Sequence, residues 1–140
     1  MVSRERKIEI MSVLITSVVL GYIGVISGIQ LIAVDTPPAS SITIKVIAEQ
    51  FLWTFEYPNG TRVQNELRVK AGQVVLLEVT SLDVIHSFFV YDLGVKIDAN
   101  PGRVNNYWFR ADTPGQYRIF CAEFCGVSHY AMIGKLIVEP

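Results

Sequence analysis

The chain has 140 residues, room for one small domain and a short appendage. Its net charge of −1 comes without a basic run or interleaved basic and aromatic residues, which argues against a nucleic-acid partner. Hydrophobic residues make up 51% of it, high for a soluble domain of this size, and the excess is gathered at the N-terminus.

From Ile10 to Val34 no residue is charged. A helix of that length, rising ~1.5 Å per residue, crosses a bilayer core of ~30 Å. Arg4, Arg6 and Lys7 precede it, as in a signal peptide, but the apolar core of a signal peptide runs only about 7–15 residues. Residues 1–36 are therefore read as a cytoplasmic flank and a retained, single-pass anchor in the cell membrane. The basic flank stays in the cytoplasm by the positive-inside rule, which puts residues 37–140 on the outer, periplasmic face. Gly21, Gly24 and Gly28 share one helix face, either for packing against another helix or by simple tolerance. Glu9, at the inner end, is an ionisable group at the membrane boundary, a functional candidate unless it merely touches water.

Asp35-Thr-Pro-Pro-Ala-Ser-Ser41 is a linker in which two prolines block helix continuation. Beyond it the pattern changes to period two. Ile42, Ile44 and Val46 alternate with Thr43, Lys45 and Ile47. Phe51, Trp53, Phe55 and Tyr57 share one face of a second extended run, which ends at the Pro58-Asn-Gly60 turn. Further strands are predicted at Leu67–Val69, Val74–Thr80, His86–Tyr91, Tyr107–Arg110, Gln116–Phe120 and Gly134–Glu139. Some eight short strands with turn signals between them, and no helical period after residue 40, predict an all-β sandwich or barrel at 37–140.

The chemistry lies in Cys121-Ala-Glu-Phe-Cys125-Gly-Val-Ser-His129-Tyr-Ala-Met132, with His86 from an earlier strand. Together these hold both cysteines and both histidines of the chain, and Cys, His and Met are the donors copper prefers over harder metals. Cys125, His129, Met132 and His86 alone would make a mononuclear blue-copper site. Cys121 adds a second thiolate. Two thiolates bridging two coppers, one imidazole on each, would use every Cys and His, with Met132 and the Glu123 carbonyl as weak outer ligands. A Cys121–Cys125 disulfide and a two-Cys, two-His zinc site are the alternatives. The first leaves His86, His129 and Met132 without a role, and the second has no use for Met132. Gly126 suits a tight backbone conformation after the second cysteine.

The loop matches Cys-x-Glu-x-Cys-Gly-x-x-His-x-x-Met, and in this it resembles subunit II of the haem–copper cytochrome oxidases at every fixed position. Asp83-Val-Ile-His86-Ser-Phe, Leu93-Gly-Val-Lys-Ile-Asp-Ala-Asn-Pro-Gly-Arg103 and Gln50-Phe-Leu-Trp53-Thr-Phe-Glu-Tyr57 extend the resemblance from about residue 42 to the C-terminus. It implies a cupredoxin-like Greek-key β-barrel with a mixed-valence dicopper centre, termed CuA. His86, Cys121, Glu123, Cys125, His129 and Met132 would be the ligands. The centre would take electrons from cytochrome c or a small copper protein and pass them to haem in subunit I, where oxygen is reduced to water. Subunit I and other oxidase subunits are the implied partners. The Glu123 side chain would also bind magnesium or manganese at the subunit I interface. Many members have two transmembrane helices; this chain has the pattern of a short form with one. The position of the family's electron-entry tryptophan holds Phe51, and Trp53 matches the second aromatic of that segment. Asp83, Asp92 and Glu56 are the carboxylates available to steer a basic donor. A glutamate near the helix end helps load protons in relatives, which points to Glu9. A membrane-anchored cupredoxin shuttle, or a CuA subunit of a nitric or nitrous oxide reductase, would carry the same motif.

Overall fold

The computed structural model describes residues 3–140, so residues 1 and 2, the start of the expected 1–36 segment, lie outside the described residues. The described chain divides into two compact units at the Thr36–Pro37 boundary. The first is one helix, α1 (Arg4–Asp35), longer at its N-terminal end than the uncharged run alone predicts. Ser3 caps it by accepting a hydrogen bond from the Arg6 N–H, and it stops before Pro37 and Pro38. None of its side chains is buried, and it is long and apolar enough to cross a membrane.

Among its described residues the second unit has ten strands: β1 (Ile42–Glu49), β2 (Leu52–Glu56), β3 (Arg62–Gln64), β4 (Glu66–Lys70), β5 (Val74–Ser81), β6 (His86–Val90), β7 (Val95–Ala99), β8 (Asn105–Arg110), β9 (Gly115–Cys121) and β10 (Ile133–Glu139). One sheet runs β3-β2-β1-β5-β8 and the other β4-β10-β9-β6-β7. The pairings β1–β5 and β4–β10 are parallel and the rest antiparallel. Parallel neighbours cannot be joined by a tight hairpin, so each sheet is closed by long connections, as in a Greek key.

The alternation seen in sequence sets the faces. Ile44, Val46 and Ala48 of β1, Trp53 and Phe55 of β2, and Val75, Leu77 and Val79 of β5 turn inward from the first sheet. Leu67, Val69, Phe88, Val90, Ile119, Leu136 and Val138 complete the core from the second. Phe88 stands edge-on to Trp53 at 5.4 Å and to Phe55 at 6.3 Å, so these rings join the two sheets. This is the all-β sandwich the strand pattern predicts. Two strands go beyond the eight predicted, β3 and β7, and short 3₁₀ turns occur at Tyr91–Leu93 and His129–Ala131.

Candidate metal centre

The site forms where β6 meets the loop between β9 and β10. Phe88 of β6 pairs with Cys121 at the end of β9, which sets His86, two residues earlier, beside the first thiol. Ile133 of β10 pairs with Phe120, so the loop leaves and returns at one end of the second sheet. Within it Cys121 N–H donates to the Met132 carbonyl at 3.3 Å, closing the loop at its base.

The donor atoms converge. Cys121 Sγ lies 3.8 Å from Cys125 Sγ, and both thiols are free. His86 Nδ1 is 3.8 Å from Cys121 Sγ and 3.2 Å from Met132 Sδ. His129 Nδ1 is 3.5 Å from Cys125 Sγ, which is itself 3.8 Å from Met132 Sδ. The Glu123 carbonyl oxygen approaches Cys121 Sγ at 3.2 Å, while the Glu123 side chain is exposed. The ligand atoms of His86, Cys121 and Cys125 all lie within 4.8 Å of one another. The two thiols, the His86 imidazole and the Met132 thioether gather around one point, His129 Nδ1 stands beside Cys125, and together they form a soft-donor set, which fits copper. Among the described residues this is the one His/Cys/Asp/Glu cluster with metal-binding spacing, and the Glu123 carboxylate is not part of it.

Burial is uneven. His86, Met132 and Cys125 are almost wholly buried, whereas His129 is partly exposed, with the Phe124 ring 5.8 Å away. Burial first, and the Cys121 thiol next, push the Cys125 thiol well above its ordinary value. Without metal this thiol keeps its proton, which an incoming ion must displace.

Asp83 has a role that the sequence did not reveal. Considered for its charge toward a donor, it also reaches a buried ring: although the residue is exposed, its Oδ1 lies 2.9 Å from His86 Nε2. The imidazole therefore donates from Nε2 and leaves the Nδ1 lone pair facing the sulfurs. Burial would raise the Asp83 carboxyl, but hydrogen bonds from His86, the Gln50 and Val84 amides and Ser81 hold it down to about 2. Glu56 is likewise engaged, by Lys45 and Arg62. Asp92 is exposed.

The two aromatic candidates separate. Trp53 is fully buried, its ring edge-on to His86 at 6.2 Å. Phe51 lies outside β2, half-buried against the core and next to Gly126. Glu9 lies on the exposed surface of α1, in the other unit.

Residues 60–139 match the family described as cytochrome c oxidase subunit II, periplasmic domain. A cytochrome c oxidase subunit 2 of Alkalihalophilus pseudofirmus is 43% identical over 99 residues, covering 70% of this chain and 29% of that protein. The chain thus spans less than a third of that relative's length. The solved periplasmic domain of subunit II of cytochrome oxidase from Bradyrhizobium japonicum superposes with a TM-score of 0.69 at 33% identity, over 74% of this chain and 87% of that one. A chain of a heme–copper terminal oxidase dimer superposes with a TM-score of 0.62 at 26% identity, over 97% of this chain and all of that one (100%). The shared fold is cupredoxin-like, with one N-terminal apolar helix in this chain. By sequence match, fold and the copper-type donor loop, the chain belongs to the subunit II family of the cytochrome c oxidases.

Proposed function

We propose that this chain is the electron-transfer subunit of a respiratory haem–copper oxidase. The observation that carries the reading is the convergence of His86, Cys121, Cys125, His129 and Met132 at one end of a rigid sandwich. Cys121 and Cys125 would hold two copper ions jointly. His86 and His129 would each bind one, and Met132 and the Glu123 carbonyl complete the set. When bound, the copper pair supplies one-electron chemistry with no substrate ligand required.

The chain's own residues do the rest. The sandwich fixes the donors, and burial of His86, Cys125 and Met132 keeps water off that side of the site. Electrons from cytochrome c or a small copper protein would enter near half-buried Phe51 or buried Trp53, and would leave for haem in subunit I, where oxygen is reduced to water. With Asp83 engaged by His86 and Glu56 by Lys45 and Arg62, a donor held chiefly by apolar contact fits better than one steered by strong basic charge. The donor loop also exposes Phe124, Val127 and Tyr130, apolar surface of the kind that partner subunits cover. The exposed Glu123 carboxylate is available to a magnesium or manganese ion whose other ligands subunit I would provide. Residues 1–36 anchor the chain with its N-terminus in the cytoplasm, residues 37–140 stand on the outer face, and Glu9 serves proton uptake.

Purification of the tagged full chain from its own membranes tests the reading. Two coppers per chain, the paramagnetic signal of a delocalised pair, and co-purified haem are expected. One zinc per chain, or cysteines joined in freshly isolated material, would overturn the copper assignment. A copper pair without haem would point to a free shuttle, and a nitric or nitrous oxide-reducing partner would reassign the terminal acceptor.

A further inference from the structure

Gln50 lies outside the donor loop, yet it touches both segments that bring donors to the site. It sits in the turn between β1 and β2. Its backbone N–H donates to Asp83 Oδ2 at 2.7 Å, across 33 positions of sequence. Its side-chain amide donates to the Cys125 carbonyl, across 75 positions. The other Asp83 oxygen accepts from His86 Nε2 at 2.9 Å. The next carbonyl along the loop, that of Gly126, accepts from the His129 N–H at 3.1 Å. One residue thus reaches the His86 side of the site through Asp83, and the Cys125–His129 side through a peptide oxygen.

The fit around this amide is close. Gly126 has φ +134°, and a Cβ there would meet Gln50 Nε2 at 2.7 Å. The amide fills the space that a side chain at 126 would take.

We propose that Gln50 is a positioning residue of the metal centre. It holds the Cys125–Gly126 peptide with its side chain and Asp83 with its backbone, so that Cys125 Sγ and His86 Nδ1 face a common point before any metal arrives. The proposal rests on the copper reading of the site. The donors come from segments remote in sequence, and any slack between them must be removed on binding, at a cost to affinity. Groups that hydrogen-bond behind a ligand are worth about 10–100-fold in metal affinity. Gln50 stands one bond further back than Asp83 on the His86 side and acts directly on the loop carrying Cys125.

The test uses the full chain in detergent, loaded with copper. Gln50→Ala removes the amide, and Gln50→Glu keeps its size while replacing the donor with an acceptor that faces the Cys125 carbonyl. Both should weaken copper retention against a chelator by about 10–100-fold. Both should also shift the reduction potential and the histidine hyperfine pattern, with the β-sheet circular dichroism preserved. A merely structural residue would alter thermal stability and leave potential and hyperfine pattern in place. A second measurement needs no variant. In the metal-free wild-type chain, the Gln50 side-chain amide, held by the Cys125 carbonyl, should exchange more slowly than that of Gln64, although both residues are exposed. If the Gln50 protons exchange as fast, or both variants keep wild-type affinity and potential, the positioning role is overturned. If the wild-type chain takes up no copper pair at all, the functional reading fails instead, whatever Gln50 does.

Discussion

At Gly126 the backbone lies in a region that side chains other than glycine rarely adopt, and Gln50 and Phe51 crowd the same point, the Phe51 ring 3.2 Å from an added Cβ. Gly126→Ala should therefore destabilise the full chain by about 1–3 kcal/mol and loosen the donor loop. Thermal unfolding measures the first effect and chelator competition the second. The two sulfur-bearing residue types differ in what they contribute. Cys125→Ser replaces a soft, shared donor with an oxygen and should abolish the paired-copper spectrum. Met132→Leu keeps both thiolates and both imidazoles, so it should preserve that spectrum while moving the potential and loosening copper retention. Paramagnetic spectra with potentiometry on the two variants decide this, and a native spectrum in both would refute the ligand assignment. The four-residue spacing of the cysteines and the third residue type at Met132 were legible because they lie within one short loop. Asp83 was legible as a charge but not as the partner of His86. Nothing in the chain's local pattern tells a carboxylate that reaches a buried histidine from one that does not. Gln50 was illegible for a related reason: its contacts run to a backbone oxygen and a carboxylate brought near only by the tertiary fold.

Among the elements, β2 shows how far period-two alternation carries. Trp53 and Phe55 are buried as the pattern predicts, while Phe51 and Tyr57 lie beyond the ends of the strand. Phe55 meets Phe88 of the opposite sheet, so Phe55→Ala should cost about 3–5 kcal/mol in denaturant unfolding. Tyr57 closes the same end differently. Its hydroxyl accepts from the Arg68 N–H at 2.7 Å and donates to the Arg68 carbonyl at 3.1 Å, tying the end of β2 to β4 of the other sheet. Tyr57→Phe should therefore lower stability by about 1 kcal/mol in the same assay. The strands missed from sequence had weak local signals. β3 has three residues and one apolar position, and its pairing with β2 is what makes it a strand. β7 does alternate, with Val95, Ile97 and Ala99 against Lys96 and Asp98, but its apolar positions end in a small alanine and it is bracketed by Gly94 and Pro101, residues that read as loop. The 3₁₀ turn at His129–Ala131 is too short to leave a helical period, although it swings His129 Nδ1 toward Cys125.

For the whole molecule the contrast is between a unit with its own core and a helix with none. Every described side chain of α1 from Arg4 to Asp35 is exposed, Val18 to 72% and Ile32 to 69%, and that much apolar surface in water is unfavourable. The full chain should stay in the membrane fraction through an alkaline carbonate wash. Residues 37–140 expressed alone should appear in the soluble fraction; their pelleting with membranes would contradict the anchor assignment. Glu9→Gln in the assembled oxidase should slow oxygen consumption and leave the copper absorbance unchanged. Unaltered turnover would remove Glu9 from proton uptake. The order in which the site comes into being follows from one pairing. Phe88 and Cys121 lie 33 residues apart in sequence, and until their strands join, His86 has no neighbour among the thiols. A metal ion can then meet His86 and both thiols together only once those strands have paired. Once they have paired, the two thiols lie 3.8 Å from one another. If the site takes copper as proposed, that closeness makes any oxidant a competitor of the metal, because neighbouring thiols can be joined to one another.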